Sequence, residues 1–354
     1  MSIFAGVDCH KGSHVIAFVD AVGSELRAWT ISNDIDGFEM AFGIAEEFGG
    51  AVWGLEGAGS YGRRFADFLV ERGAGVYEIP GNVTKRNRRQ STRTGKTDAI
   101  DAKAIAEALI RERERLPRYH ASELRLTLRL RYEQRDRLVR QRTIEVNRLK
   151  AAAAMVDLKI ELDCTATSSL ESIRSAALSL QGSRHSIDAY ADDILIALET
   201  IERINGHVAR IEKLLGPFVQ TLAPELLEVR GVGVITAAGL IGHAGDLRNF
   251  RNGDAFAVKC GTAPTPCSSG KTAAVRVNTG GNRTLNRLLY TIATTQIRTP
   301  EHPGRAYYDR KRAQGQNARA AIRSLKRQLT KVVYRQLLKT HARLQPTPAL
   351  KIAA

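Results

Sequence analysis

The stretch IFAGVDCHKGSHVIAFVD, Ile3–Asp20, decides how the chain begins. Two apolar runs each close on an aspartate and are separated by the polar turn CHKGS, the pattern of two short strands joined as a hairpin. Working outward, a more polar run ends in LRAWTIS (Leu26–Ser32) and a helical stretch follows. Then come AVWGLE (Ala51–Glu56), a helix around Arg63–Arg72, and GVYEI (Gly75–Ile79). Strands and helices in this order predict a mixed α/β sheet opened by a hairpin and continued by β-α units.

Acids stand where these elements end. Asp8 closes the first strand, and Glu56 closes the strand AVWGLE, with Gly57 and Gly59 leaving space behind it. Asp98 and Asp101, three apart at the start of the helix TDAIDAKAIAEALIRER, share one helix face. If the two strands are neighbours and that helix packs across their ends, four carboxylates converge. Like charges a few ångströms apart cannot all stay ionised without cations. Two Mg²⁺ ions would neutralise them and activate an oxygen nucleophile at a phosphate. The plainer alternative makes Asp98 and Asp101 an N-cap and an N3 acid, each worth about 1 kcal/mol to the helix, and Asp8 a turn residue.

Between these elements Gly81–Lys96 reads GNVTKRNRRQSTRTGK, with six basic residues and no acid: Lys85, Arg86, Arg88, Arg89, Arg93 and Lys96. Further basic residues, Arg276, Arg283 and Arg287, and then Arg323, Lys326 and Arg327, lie near the other end of the chain. The excess is global, with 53 Lys+Arg against 37 Asp+Glu in 354 residues and a formal charge of +16, so a polyanion is the natural partner and phosphate contact the better reading of the basic runs. A 43% apolar share is ordinary for a folded protein. No apolar run approaches the roughly 20 residues that span a bilayer, and the acid and His near the N-terminus interrupt any signal-peptide core, so no membrane role and a cytoplasmic location are expected. Cys9, Cys164, Cys260 and Cys267 lack C-x-x-C spacing, which fits a reducing compartment and argues against structural zinc.

The centre is helical. From Ile187, apolar residues repeat at Ile187, Ile194, Ile201, Val208 and Leu215, interleaved with Tyr190, Ala197, Ile204 and Ile211, four heptads in all. The earlier stretch Leu128–Leu149 has Tyr132, Val139 and Val146 in one seam position but Arg135 and Arg142 in the other. The pattern suits an intramolecular hairpin and a coiled-coil dimerisation arm equally, and TATSS (Thr165–Ser169) is the expected connector. From Pro224 the chain reads as mostly helical with a loop at GTAPTPCSSGKTAAVRVNTGGN. In RGVGVITAAGLIG, Gly231 and Gly233 form a tight turn before a helix. Such a turn suits backbone N–H approach to a phosphate and close packing of two helices alike. In PCSSGKT, Ser269 before Gly270 and Lys271 reads on local chemistry alone as a turn, because a serine nucleophile needs a base, a metal or a cationic surround.

Six ordered blocks, GVDCHKGSHVIAFVD, GLEGAGSYG, RTGKTDAIDAKAIAE, VRGVGVITAAGLIGHAGDLRNF, CGTAPTPCSSGKT and NTGGNRTLNRLLY, resemble the DEDD transposases of bacterial insertion sequences, the IS110 group that includes a pilin-segment invertase and bridge-RNA-guided recombinases. The resemblance implies an RNase H-like (RuvC-like) domain over 1–118 whose Asp8, Glu56, Asp98 and Asp101 bind Mg²⁺ or Mn²⁺. It further implies a helical coiled-coil region over 119–222 and a mainly helical C-terminal transposase domain over 223–354. Its nucleophile would be Ser269, forming a phosphoserine and releasing a 3′ hydroxyl. Donor and target DNA, a guide RNA and a homo-oligomer, dimer or tetramer, would be the partners, in a nucleoid-associated cytoplasmic enzyme. Lys271 joins the expected phosphate contacts. A junction-resolving nuclease using metal-activated water, and a non-catalytic nucleic-acid binder, are the competing readings.

Overall fold

A computed structural model describes residues 2–81, 83–84, 97–158, 164, 167–269 and 272–344. These divide into two compact units, Met1–Ser122 and Glu123–Ala354.

The first unit is built on a five-stranded sheet of order β3-β2-β1-β4-β5. Its strands are β1 (Phe4–Cys9), β2 (Ser13–Val19), β3 (Glu25–Ser32), β4 (Val52–Glu56) and β5 (Val76–Glu78). β1, β2 and β3 form an antiparallel meander, while β4 and β5 run parallel to β1. This is the expected RNase H-like arrangement. Helices α1 (Ile35–Glu47), α2 (Arg63–Glu71) and α3 (Asp98–Glu112) complete it. Alternation along the central strands sorts their side chains to two faces. Ala5, Val7, Trp53 and Leu55 join Phe38 and Ala41 of α1 and Phe65 and Leu69 of α2 in one core. Phe4 faces the other way, against Ile105, Ala106 and Leu109 of α3. Both faces are therefore covered, which explains why β1 and β2 read as nearly continuous apolar runs.

On the α3 face, Phe4 is followed by Gly6 and then Asp8; on β4 the same face carries Gly54 and then Glu56. Gly6 and Gly54 are direct partners in the parallel register, and so are Asp8 and Glu56. A methyl on Gly6 would collide with backbone atoms of Ala102 and Ala106, and one on Gly54 would press on Leu109 Cδ2 at 3.2 Å. The glycine pair is a saddle that lets α3 lie against the sheet backbone.

In the second unit, α4 (Glu123–Met155) and α6 (His185–Leu222) pair antiparallel, with α5 (Thr167–Leu178) against their far end. α5 begins inside the expected connector, so Thr167–Ser169 are helical rather than linking. From Ile194 onward the heptad residues of α6 bury within the chain, Ile194, Ala197 and Ile201 against Leu149, Ala152 and Ala153, and Ile211 and Leu215 with Leu128 and Tyr132, while Tyr190 is exposed. The two charged seam positions are answered across the pair. Arg135 Nε donates to Glu212 Oε1 at 3.0 Å and Arg142 Nη1 to Asn205 Oδ1 at 3.0 Å. The base of this hairpin shares one core with α7 (Val234–Ala244), α9 (Arg283–Arg298) and α11 (Ala318–Leu344), joined by α8 (Gly253–Lys259) and α10 (Pro303–Ala313). Residues on both sides of position 222 thus contribute to a single core.

The expected loop around PCSSGKT is instead a β-hairpin, β6 (Thr265–Ser269) and β7 (Thr272–Arg276), with Ser269 paired to Thr272. All four cysteines are free. Among the described residues no helix is long and apolar enough to cross a membrane.

The saddle makes a sharp prediction. Gly6→Ala is expected to destabilise by about 3 kcal/mol through overpacking against α3, seen as a lower Tm. The same change at Gly43 in α1, where an added Cβ meets nothing within 4 Å, is expected to stabilise by about 0.5–1 kcal/mol through helix propensity.

Candidate active site

Asp8 and Glu56 end adjacent parallel strands in register, on the face that α3 covers. α3 lies close because of the glycine saddle, and its first turn carries Asp98 and Asp101. The cap itself is Thr97, whose side chain accepts from Ile100 N at 3.3 Å. Asp98 is therefore the first helical residue, not the cap, and its carboxylate is free of the capping duty that the plainer reading gave it.

The electrostatics show the other three acids acting on Asp8. Burial raises the Asp8 carboxyl above the usual aspartate range, with Glu56, Asp101 and Asp98 adding to the rise and His10 opposing it. Exposure grades across the cluster, from 18% for the Asp8 side chain to 58% for Asp98. Behind Glu56 the chain turns through Gly57 at φ +90°, where a side chain would be strained. A Cβ on Gly81 would stand 2.7 Å from Glu56 Oε1, so Gly81 keeps room for that carboxylate.

One member was not foreseen. His10 Nε2 lies 3.3 Å from Asp8 Oδ2 and 3.6 Å from Asp98 Oδ2. Asp8, His10 and Asp98 each offer a ligand atom within 4.8 Å of the others. The sequence signal was the D-x-H spacing, which returns a residue to the same side of an extended chain. Cys9, between them, points elsewhere. Its thiol is pushed far up by burial and by Asp8 and Glu56, so it stays protonated and inert.

The donor set fits a hard divalent cation. Carboxylate oxygens dominate, and the repulsion the other acids exert on Asp8 is what a cation would relieve. Among the described residues the ligand atoms that converge are those of Asp8, His10 and Asp98; Glu56 and Asp101 act on Asp8 by charge and are not in that group.

The other expected residues fall elsewhere. Lys85, Arg86, Arg88, Arg89, Arg93, Lys96 and Lys271 lie outside the described residues. Ser269 ends β6 in the second unit. Gly231, at φ +93°, lies tight against α9, where a Cβ would meet Ile292 and Thr295 at 3.1–3.2 Å. Its need is close helix packing. Gly233 caps α7 and opens onto free space, so it alone of the pair leaves backbone accessible. Arg276, Arg283 and Arg287 line a cavity of the second unit, together with Arg323, Lys326 and Arg327.

Comparison with known proteins gives two family matches. The DEDD transposase family of IS110 elements matches residues 5–155, and the Transposase IS116/IS110/IS902 family matches residues 223–309. The chain is 27% identical over 380 residues to the insertion element IS116 uncharacterized 44.8 kDa protein of Streptomyces clavuligerus, covering 95% of this chain and 94% of that one. It is 25% identical over 404 residues to the insertion element IS900 uncharacterized 42 kDa protein of Mycobacterium paratuberculosis, covering 97% of each. Among solved structures, T. thermophilus RuvC in complex with a Holliday junction substrate is similar at 12% identity and a TM-score of 0.28, covering 34% of this chain and 100% of that one.

The raised Asp8 predicts a pH effect in metal-free buffer. A carboxyl whose folded pKa exceeds its unfolded value opposes folding once ionised, and this opposition fades as pH falls through the raised folded value toward 3.8. Asp8→Asn is therefore expected to melt higher than the wild type at neutral pH in chelator. The gap should close on acidification; a variant that melts lower at neutral pH contradicts the cluster's electrostatics.

Proposed function

The chain belongs to the transposases of the IS116/IS110/IS902 insertion-element family, and from that premise we propose that it cuts and rejoins DNA through a serine nucleophile supported by a four-carboxylate metal site. The observation that carries this is the register pair Asp8–Glu56 beneath the first turn of α3, with its mutually repelling carboxylates. Such an arrangement has no benefit to stability and a clear use at a phosphate.

Asp8, Glu56, Asp98 and Asp101 are the proposed ligands, and Mg²⁺ or Mn²⁺ the proposed ion. When bound, it supplies positive charge to stabilise the charge that develops on phosphate oxygens. Ser269 is the proposed nucleophile: its oxygen forms a bond to phosphorus as the bond from phosphorus to the 3′ oxygen breaks. The serine proton leaves to solvent and the departing 3′ oxygen takes a proton from it, giving a phosphoserine and a 3′ hydroxyl. Rejoining reverses these bonds on a different strand end. Ser269 forms the last pair of the β-hairpin, with Thr272, and a cation, Lys271, lies two positions on in sequence, which supports its reading as the nucleophile. The basic excess supports donor and target DNA as substrates, with a guide RNA as further partner, acting in the cytoplasm in a dimer or tetramer. Gly233, Lys271, Arg276, Arg283 and Arg287 belong to the proposed nucleic-acid contacts, with the basic run Lys85, Arg86, Arg88, Arg89, Arg93 and Lys96, while Gly231 supports the turn.

A second reading, a nuclease that resolves junctions with metal-activated water, is favoured by one fact: the acid cluster is complete within the first unit. The two separate in one experiment. The protein is incubated with Mg²⁺, the DNA of its own element ends and the RNA transcribed from the flanking noncoding sequence, and protein-linked DNA is sought on denaturing gels. The serine route predicts an adduct that Ser269→Ala abolishes along with cleavage. Asp8→Ala and Glu56→Ala should each lower cleavage by at least about 100-fold, because several kcal/mol of charge stabilisation are lost. Cleavage by Ser269→Ala without any adduct would establish the water route instead.

A further inference from the structure

The second unit holds a cavity of about 860 Å³ lined by seven Arg and Lys side chains and by no Asp or Glu. At its floor is Lys326 of α11, only 8% exposed. Lys326 Nζ donates to Asn286 Oδ1 at 2.6 Å. Asn286 is held rigidly, because its Nδ2 donates to the carbonyls of Cys260 at 2.9 Å and Gly261 at 3.1 Å. Both amide hydrogens are thus used, and only the oxygen remains for the lysine. The loops that supply this floor touch backbone to backbone: a Cβ on Gly281 would collide with Gly261, itself at φ +65°. The blocks CGT and NTGGNRTLN, in which the sequence marks only Arg283, are therefore the frame that aims Asn286 at Lys326.

A neutral amide orients an ammonium but does not neutralise it. Among the described residues no carboxylate lies within ion-pair distance of Lys326, and its proton affinity is lowered by burial and by Arg323 nearby. By contrast, Arg327 pairs with Asp254 at 2.7 Å and Arg287 with Asp136 at 2.8 Å. A buried cation without a counter-ion is costly to fold, and proteins hold one where a ligand completes the charge. The remaining lining identifies the ligand's class. Arg283 opens α9, whose 16 residues direct a helix N-terminus at the site, and Tyr290 and Tyr307 present aromatic rings to the same cavity. Phosphate with an attached planar base satisfies every feature.

We propose that this cavity is a seat for a single strand of nucleic acid, with Lys326 gripping one backbone phosphate and a neighbouring base stacked on Tyr290 or Tyr307. The proposal rests on the nucleic-acid reading above and assigns it a specific anchor at the base of the hairpin that carries Ser269. DNA and RNA strands share the phosphodiester, and the test separates them.

The probes are inorganic phosphate and matched single-stranded DNA and RNA oligonucleotides, applied to the full chain and to Lys326→Met, which keeps the side chain's length and removes its charge. The wild type should melt higher in phosphate than in chloride at equal ionic strength, and Lys326→Met should lose that difference while melting no lower than the wild type in chloride. Oligonucleotide affinity should fall roughly tenfold, and the slope of its logarithm against that of salt should shrink by about 0.7, the value for one single-strand phosphate contact. Tyr290→Ala, at an exposed position, should weaken the same oligonucleotide about tenfold with little change in that slope. The nucleic acid that loses more affinity names the occupant. A Lys326→Met protein that melts several degrees lower would mark a structural lysine and overturn the proposal, as would phosphate and oligonucleotide binding equal to the wild type. Wild-type binding that depends on Lys326, together with DNA left uncut in Mg²⁺, would remove the recombinase reading and leave the seat standing.

Discussion

The first unit depends on one close approach, that of the α3 backbone to Gly6 of β1, with Gly54 of β4 beside it under the Leu109 and Ile79 side chains. With Gly6 beside Gly54, the helix backbone reaches the sheet backbone, and the next residues outward on the same face are Asp8 and Glu56. The helix then has no choice about what its first turn meets. Its positive end and the two acids it carries arrive at the two acids the strands carry, and the helix dipole offsets part of their repulsion, by about 0.3–1 kcal/mol each. A larger residue at Gly6 would lift the helix and separate the two pairs, while one at Gly54 would press on the Leu109 and Ile79 side chains.

The second unit follows the same logic with helices. α6 has an apolar seam, α4 a seam broken by arginines, and each arginine finds an acceptor on the facing helix. The hairpin therefore closes on itself, and its base merges into the core that also supports the basic cavity. Like charges gather twice in this protein, as carboxylates in the first unit and as cations in the second. Each gathering is held by packing around it, not by its own interactions, and this is how a fold maintains a site that needs an outside charge to be satisfied.

Strand and helix identity was legible because period-2 and heptad patterns are local, and so were the acids that end them. The plainer view of Asp98 as a cap was legible too, and Thr97, one residue earlier, takes that role. The one signal for His10 is its D-x-H spacing from Asp8, and a single two-residue step does not stand out in a chain with eight histidines. The hairpin of β6 and β7 reads as a loop because the Pro, Ser and Gly of PTPCSSGK are turn-forming residues, so composition masks the strand. The heptads of α6 announced a partner without saying whose, since a knob fits the same hole in either copy of the helix.

By itself, then, the sequence determined the α/β start, the helical remainder, the polyanion-seeking charge and the four candidate acids, each through spacing or composition within a short window. Tertiary structure alone decided that Asp8 and Glu56 share a register, that glycines admit α3 to complete the cluster, that α6 folds onto its own α4, and that Asn286 holds a buried Lys326. These are meetings of residues 40 or more positions apart. They are set by packing and backbone clearance, which leave no periodic mark in the chain.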